Sequence, residues 1–218
     1  MRILLIRHAD PDYWRDTITE VGHRQAKALA HSLEKVQIDR LFVSPLGRAR
    51  ETAKYIADVK GLRMEILDWL AELDGSFGAD LWAWNVSGSE TLKSGVPPSM
   101  DNWHEIVPYG AKMLQQLRML SQNFDKFLSE FGYIRDCLRY RIVSPNNLSI
   151  ALVSHGGAIL TLLSYLVNIP LPLSYIHFSC DPSSLTELVW EEDGGYAVPR
   201  IVRMNDTSHL RSCQKEAS

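Results

Sequence analysis

Cysteine is scarce in this chain, which contains three cysteines among 218 residues, Cys137, Cys180 and Cys213. An odd number of widely separated cysteines supplies neither a disulfide framework nor the paired spacing that a zinc site needs. The chain is nevertheless long enough to bury a hydrophobic core in one domain. We therefore expect the fold to be stabilised by core packing.

Excess positive charge and long apolar runs are also missing. The 23 Lys and Arg residues stand against 26 Asp and Glu residues, which gives a formal net charge of -3. Nucleic acid or an anionic membrane would require a basic surface, so neither is predicted as a partner. No apolar stretch approaches the roughly 20 residues that span a bilayer, and the first residues lack the pattern of a secretory signal. The sequence therefore predicts a cytoplasmic protein.

Short apolar runs alternate with amphipathic segments in the first 60 residues. Residues 2–6 and 41–43 are typical of strands, whereas residues 19–33 and 48–59 have the spacing of helices. A strand at 148–153 and a helix at 157–167 follow later. This order predicts an α/β fold, a three-layer α/β/α sandwich with a mainly parallel central sheet. An antiparallel set is expected near residues 176, 185–190 and 197–202, with a Gly-Gly turn before the last strand.

Residues 70–145 differ from the rest of the chain. They are predicted to form a helical cap inserted into a single domain that spans residues 1–218. Apolar residues recur at three- and four-residue steps from Leu114 to Phe131, which predicts a long amphipathic helix. Four tryptophans lie in or beside a stretch rich in Gly, Ser and Pro near the start of the cap: Trp69, Trp82, Trp84 and Trp103.

Two histidines directly follow two of the predicted strands. His8 comes after the strand at residues 2–6, and His155 comes after the strand at residues 148–153. A single histidine at a strand end is more often structural than catalytic. Ligands of open α/β sheets, however, bind beyond the carboxyl ends of the strands. Two imidazoles that lie together at that edge indicate a catalytic site.

Arginine and acidic residues accompany these histidines. Arg7 precedes His8, and Arg48 begins a predicted helix, where free backbone N–H groups favour an anion. Guanidinium groups bind phosphate oxygens with paired hydrogen bonds and stay charged. Glu72, at the start of the cap, is placed to donate a proton, and Asp74 is the alternative donor. Together these residue types predict a site that binds a phosphate-like anion next to a proton donor.

The same residues lie in short segments that resemble the histidine phosphatase superfamily, in the branch that includes cofactor-dependent phosphoglycerate mutase. The segments cover most of the chain outside the cap, and their order and spacing make the resemblance specific. They are Arg7-His8, Thr19-Glu20-x-Gly22-x-x-Gln25-Ala26, Ser44-Pro45-Leu46-x-Arg48-Ala49-x-x-Thr52-Ala53, Leu70-x-Glu72, Val153-Ser154-His155-Gly156-Gly157 and Asn205-Asp206-Thr207-x-His209-Leu210.

The resemblance implies a phosphoryl-transfer enzyme. In such an enzyme His8 attacks the phosphorus and becomes a phosphohistidine. Arg7, Arg48 and His155 then surround the transferring group and neutralise its oxygens. Glu72 protonates the leaving oxygen and later accepts a proton from the attacking water. This chemistry needs no metal and no organic cofactor.

Further residues are predicted to contact the substrate, which is expected to be a small phosphomonoester. They are Asp10, Tyr13, Gly156 and His209, although His209 could instead anchor the end of the chain. Ala9 stands where the family more often has glycine, so the loop after it is expected to shift. The tryptophans of the cap are expected to pack, but an aromatic wall would also suit a ring-shaped substrate.

Three alternatives to a metal-independent phosphatase follow from the same residues. A mutase would return the phosphoryl group to another hydroxyl of the substrate, but Asp10-Pro11-Asp12-Tyr13 differs from the Glu-Ser-x-x-Asn type of segment of glycolytic mutases. A non-catalytic phosphate-binding module would have no use for both a nucleophile and an acid. Metal-dependent hydrolysis is disfavoured because arginines repel cations. The strand near the C-terminus could also pair across a homodimer.

Overall fold

The computed structural model describes residues 1–78 and 81–211. Its centre is a sheet of eight strands: β1 (Arg2–Arg7), β4 (Arg40–Val43), β5 (Met64–Ile66), β6 (Tyr133–Asp136), β7 (Arg139–Ile142), β8 (Ser149–Ser154), β9 (Leu185–Asp193) and β10 (Tyr196–Asp206). Their spatial order is β5-β4-β8-β1-β9-β10-β7-β6. A separate small sheet pairs β2 (Pro11–Asp12) with β3 (Thr17–Ile18).

The two strands that lead to His8 and His155 belong to the parallel half of the main sheet. β1 and β8 run side by side, with Arg2 opposite Ser149 and Arg7 opposite Ser154. β4 continues the sheet beyond β8, and β5 lies at the edge. Because parallel strands end at the same edge, the residues after β1, β4 and β8 meet there.

The other half of the sheet is antiparallel. β9 pairs with β1, and β10, β7 and β6 follow in turn. The predicted turn before β10 is confirmed: Gly194 and Gly195 have φ values of 53° and 80°, which glycine adopts readily. The strand predicted near Ile176 is wrong. That residue lies in a helix that begins at Leu171, and Pro172 occupies its first turn, a position that proline favours.

The described ranges contain six helices: α1 (Glu20–Ser32), α2 (Gly47–Lys60), α3 (Gly88–Thr91), α4 (Gly110–Glu130), α5 (Gly156–Leu166) and α6 (Leu171–His177). β1 shows how the layers form. Ile3 and Leu5 pack in the core that contains Phe124 of α4, whereas Leu4 and Ile6 pack on the other face, against α1 and α2. The three-layer α/β/α architecture is confirmed.

The segment predicted as a helical cap has two different parts. Its second part belongs to the body of the fold, because α4 packs on the sheet and β6 and β7 extend the sheet edge. Each of those strands has four residues, too few for alternation to stand out in the sequence. The first part, of which residues 71–78 and 81–109 are described, consists of turns and short helices, and it reaches the edge where the histidines lie.

Two expectations about cysteines and membranes can be compared with the structure. Cys137 and Cys180 are free, and Cys213 lies outside the described residues. In residues 1–78 and 81–211, no helix has the length and apolarity that crossing a membrane would require.

Candidate active site

Hydrogen bonds between neighbouring strand ends join the segments that carry the two histidines. The His8 N–H donates to the carbonyl of Ser154 at 2.9 Å, and the Ser44 N–H donates to the carbonyl of Val153 at 2.9 Å. The imidazole rings of His8 and His155 consequently have their centroids 5.0 Å apart. The expectation that both histidines reach one edge of the sheet is met.

His8 is buried and neutral. Its Nδ1 lies 2.8 Å from the carbonyl oxygen of Ala9, and a carbonyl can only accept, so Nδ1 carries the proton and Nε2 the lone pair. Burial lowers the pKa of His8 to about 3; the charges of Arg7 and Arg48 act in the same direction, and the Ala9 hydrogen bond opposes them. An imidazole with a free lone pair at neutral pH is a competent nucleophile.

The loop after His8 is fastened to two helices. The Ala9 N–H donates to Thr52 Oγ1 at 3.0 Å, and the Asp10 N–H donates to Gln25 Oε1 at 2.8 Å. The Asp10 carboxylate accepts the Thr19 hydroxyl at 2.6 Å. Asp10 therefore ties the loop to the start of α1, and its predicted substrate contact stays a prediction.

Arg48 is held by an acidic residue that sequence analysis missed. Its Nη1 donates to Asp16 Oδ1 at 2.6 Å, and its Cζ lies 5.4 Å from the ring centroid of Tyr13. The Gly47 N–H donates to the other Asp16 oxygen at 2.7 Å. Burial raises the pKa of Asp16, but the hydrogen bonds from Gly47 and Arg48 outweigh it and the net shift is downward. Asp16 is therefore an anion that orients the Arg48 guanidinium.

Arg7 lies against the first turn of α5. Its Nη1 donates to the carbonyl of Cys180 at 2.5 Å. A β carbon on Gly156 would come within 3.3 Å of Arg7 Cζ, so the missing side chain lets the guanidinium approach the helix N-terminus. Gly156 thus contributes space, which explains why glycine suits this position.

His155 is fully buried between its strand and α5. Its Nε2 lies 2.7 Å from Ser44 Oγ. The pKa of His155 is lowered to about 2, mainly by burial and to a smaller extent by His8, Arg48 and Arg7. Like His8, it is neutral over the ordinary pH range.

Glu72 caps the helix that follows His155. One carboxylate oxygen accepts the N–H groups of Leu73 and Ala158 at 3.1 and 2.9 Å, and the other accepts the Gly157 N–H at 3.2 Å. Burial raises the pKa of Glu72, although these three hydrogen bonds and the charge of Arg7 oppose the shift. A carboxyl group with a raised pKa is suited to general acid and base work.

Asp74, the alternative proton donor, has a different environment. It is exposed, and Lys112 Nζ lies 2.7 Å from its Oδ1. Hydrogen bonds from Lys112 and Ser76 lower its pKa. A carboxyl group with a lowered pKa is a poor acid, so the structure favours Glu72 over Asp74.

A cavity of about 1000 Å³ opens beside these residues. His8 adjoins its wall at Tyr13, with ring centroids 6.5 Å apart. Asp10 and His209 are not among the described wall residues; His209 instead lies 3.0 Å from Ser183 Oγ. The wall contains six of the predicted residues, Arg7, Tyr13, Arg48, Glu72, Asp74 and Gly156.

Unpartnered buried atoms are concentrated at this site. Among the described residues, five buried side-chain nitrogen or oxygen atoms have no hydrogen-bond partner, and three of them belong to Arg7, Arg48 and His155. Buried polar groups are normally paired. Two of the three are guanidinium Nε–H donors, so the group they suit is an anion with several acceptor oxygens. Nowhere in the described ranges do three or more His, Cys, Asp or Glu side chains group as a metal site would require.

Sequence analysis missed Asp16, Ser44 and Thr52 as supports of the site. Ser44 and Thr52 lie inside the segment that contains Arg48, so the resemblance could have pointed to them. Asp16 lies in a loop whose path depends on β2 and β3, and nothing local in the sequence marks it.

Comparisons with known proteins agree with this geometry. The model of the histidine phosphatase superfamily (branch 1) matches residues 3–207. Phosphoserine phosphatase 1 of Hydrogenobacter thermophilus is 24% identical, over 100% of this chain and 98% of its own. A probable phosphoglycerate mutase of Yersinia enterocolitica is 26% identical, over 96% of this chain and 95% of its own.

Solved structures share the fold. A mycobacterial glucosyl-3-phosphoglycerate phosphatase superposes with a TM-score of 0.65 at 21% identity, over 94% of this chain and 98% of its own. A phosphoserine phosphatase from Entamoeba histolytica in complex with 3-phosphoglyceric acid gives a TM-score of 0.65 at 19% identity, over 96% of this chain and 98% of its own. The family match over residues 3–207 and the histidine pair at the strand ends lead to one conclusion: this chain belongs to the histidine phosphatase superfamily.

Proposed function

We propose that the protein is a cytoplasmic phosphatase that hydrolyses a small phosphomonoester through a phosphohistidine on His8. One observation carries the proposal: the neutral His8, with its Nε2 lone pair free, lies beside three residues whose buried polar atoms have no partner. Relatives named as phosphatases support hydrolysis as the reaction.

In the first step, His8 Nε2 forms a bond to phosphorus while the bond from phosphorus to the ester oxygen breaks. Arg7 and Arg48 supply positive charge to the phosphoryl oxygens, and the imidazole of His155 can donate a hydrogen bond. Protonated Glu72 gives its proton to the leaving alcohol oxygen. The alcohol departs neutral, and Glu72 becomes a carboxylate.

In the second step, a water oxygen attacks the phosphorus and the nitrogen–phosphorus bond breaks. The Glu72 carboxylate accepts a proton from that water, which restores the acid for the next cycle. The electron pair of the broken nitrogen–phosphorus bond returns to His8 Nε2, while Nδ1 keeps its proton and donates it in a hydrogen bond to the Ala9 carbonyl throughout. Neither step requires a metal or an organic cofactor.

The test measures phosphate release from a panel of phosphomonoesters by chelator-treated protein. His8→Ala should lose roughly a thousandfold or more in kcat. His31→Ala is the matched control, because His31 is exposed on α1 and bonds only Glu34 in the described structure. Mass spectrometry of an acid-quenched and of a neutral-quenched sample should place an acid-labile phosphoryl group on His8.

Other outcomes would support other functions. Isomerisation of phosphoglycerate faster than its hydrolysis would favour a mutase. Tight binding of inorganic phosphate without any turnover would favour a phosphate-binding module.

A further inference from the structure

Two tryptophans form an aromatic part of the cavity wall. The rings of Trp82 and Trp84 stack with centroids 5.3 Å apart and planes inclined by 20°. Both residues line the cavity that also contains Arg7 and Arg48. Trp82 remains 39% exposed. Trp82 therefore has exposed ring surface that a molecule in the cavity can contact.

Trp84 packs closely against two glycines, and its ring fits there only because they have no side chains. A β carbon on Gly75 would collide with its ring, and one on Gly157 would lie 2.6 Å from it. Tyr175 meets the same ring edge to face, at 6.3 Å and 72°. Trp82 consequently stacks on a rigid base. A surface that is already ordered binds a ligand with a smaller entropy cost.

Charges in the cavity argue against an anionic substrate body. Arg7 and Arg48 are the only Lys or Arg residues among the described wall residues, and the proposed reaction assigns both to the phosphoryl group. Glu72 and Asp74 supply the carboxyl groups of the wall, and Lys112, which lies beside the wall, is already paired with Asp74. A carboxylate on the substrate would lie near the charge of Asp74 or compete with the phosphoryl group for the two arginines.

The volume of the cavity favours a substrate with a ring. A cavity of about 1000 Å³ lies at the upper end of small-molecule sites. A phosphoryl group with a short chain would leave most of that volume to water. A body with a ring can cover the indole face and displace that water.

We propose that the alcohol part of the substrate carries a flat, uncharged ring that stacks on Trp82. This inference rests on the proposed function, because that function places the phosphoryl group at Arg7 and Arg48. It names the substrate class: a ring-bearing phosphomonoester without a carboxylate.

The test is direct binding, which does not depend on turnover. Isothermal titration calorimetry would compare three non-hydrolysable probes: phenethylphosphonate, cyclohexylethylphosphonate and phosphonobutyrate. The two ring probes have similar size, and only one ring is flat. We expect phenethylphosphonate to bind about fivefold more tightly than cyclohexylethylphosphonate and at least about tenfold more tightly than phosphonobutyrate, since aromatic contacts add to area burial.

Substitutions at position 82 then locate the preference. Trp82→Leu should remove the preference for the flat ring, and Trp82→Phe should retain most of it. Trp14→Leu is the matched control, because Trp14 is 95% exposed and is not among the described wall residues. Circular dichroism checks that each variant folds.

Several outcomes would overturn the inference. They are equal affinity for the two ring probes in the native protein, tightest binding of phosphonobutyrate, and an equal loss for all three probes in Trp82→Leu. Hydrolysis of phenethyl phosphate is measured in parallel. Ring preference without hydrolysis of any phosphomonoester in the panel would refute the proposed function alone, whereas hydrolysis without ring preference would refute this inference alone.

Discussion

Asp16 holds Arg48 at the cavity wall, with Arg48 Nη1 only 2.6 Å from Asp16 Oδ1. Two local features make this contact. Asp16 adopts a left-handed backbone conformation, with φ of 50°, and Gly47 has no β carbon to collide with the Asp16 carbonyl. The loop can therefore approach the start of α2 and present its carboxylate to the arginine.

The first prediction concerns this pair. Asp16→Ala should lower kcat/KM about tenfold for every phosphomonoester and weaken inhibition by inorganic phosphate, because Arg48 loses its fixed orientation. Asp12→Ala is the control, since Asp12 ends β2 directly before the same loop but accepts N–H groups from Trp14 and Arg15. Equal losses in the two variants would mean that the loop as a whole matters, and that the contact with Arg48 does not.

The second prediction concerns acid unfolding. The pKa values of His8 and His155 are lowered to about 3 and about 2, whereas in the unfolded chain they return to about 6.5. Below that pH the unfolded state binds two more protons than the folded state, so stability falls as the pH falls. These two residues should reduce the free energy of unfolding by about 3 kcal/mol per pH unit between roughly pH 6 and pH 4.

Urea unfolding at several pH values checks this prediction. His155→Gln removes one of the two groups that take up a proton on unfolding. The contribution of the pair to the pH dependence of the free energy of unfolding should therefore fall by about half. His31→Gln, at an exposed position, should leave the slope as it is in the native protein. An unchanged slope in His155→Gln would show that His155 is not held neutral by burial.

The parallel part of the fold was predictable from sequence for a physical reason. Buried parallel strands are continuous apolar runs, and the polar residue that ends each run marks the edge where ligands bind. His8 and His155 were found in this way. β6 and β7 were missed because their pairing depends on a turn at Leu138 and on β10, neither of which leaves a periodic pattern in four residues.

The candidate site was predictable to a smaller extent. Residues fixed by strand ends and helix starts, such as Arg7 and Arg48, lie in the cavity wall as expected. Residues on loops are positioned by contacts that are distant in sequence. Asp10 accepts a hydrogen bond from Thr19, and His209 contacts Ser183. The direction of each side chain is therefore set by its tertiary contact.

The third prediction separates catalysis from structure at Glu72. Glu72→Gln should lower kcat about a hundredfold or more for an alkyl phosphate, whose alcohol needs a proton to leave. The same variant should lose less than about tenfold with p-nitrophenyl phosphate, whose leaving group needs no proton. In the native protein, the rate with alkyl phosphates should fall as the pH rises through the raised pKa of Glu72, and that fall should disappear in the variant.

Asp74→Asn is the matched control for that series. Asp74 also lines the cavity, but it is exposed and its pKa is lowered. Its substitution should change kcat by less than about threefold with both substrates. If Asp74→Asn shows the leaving-group dependence and Glu72→Gln does not, Asp74 is the acid.

The last prediction concerns Gly157, whose missing side chain accommodates both Trp84 and Glu72. A β carbon there would lie 2.6 Å from the Trp84 ring and 2.8 Å from Glu72 Oε1. Alanine favours helices over glycine by at most about 1 kcal/mol, whereas overpacking costs about 1 to 3 kcal/mol, so Gly157→Ala should lower Tm by several degrees and also lower kcat for alkyl phosphates. Gly88→Ala is the control, because a β carbon at this other helix start would meet only Ile176, at 3.7 Å, and Tm should hold or rise. An unchanged Tm and kcat in Gly157→Ala would show that the indole and the carboxylate can move aside without affecting the reaction.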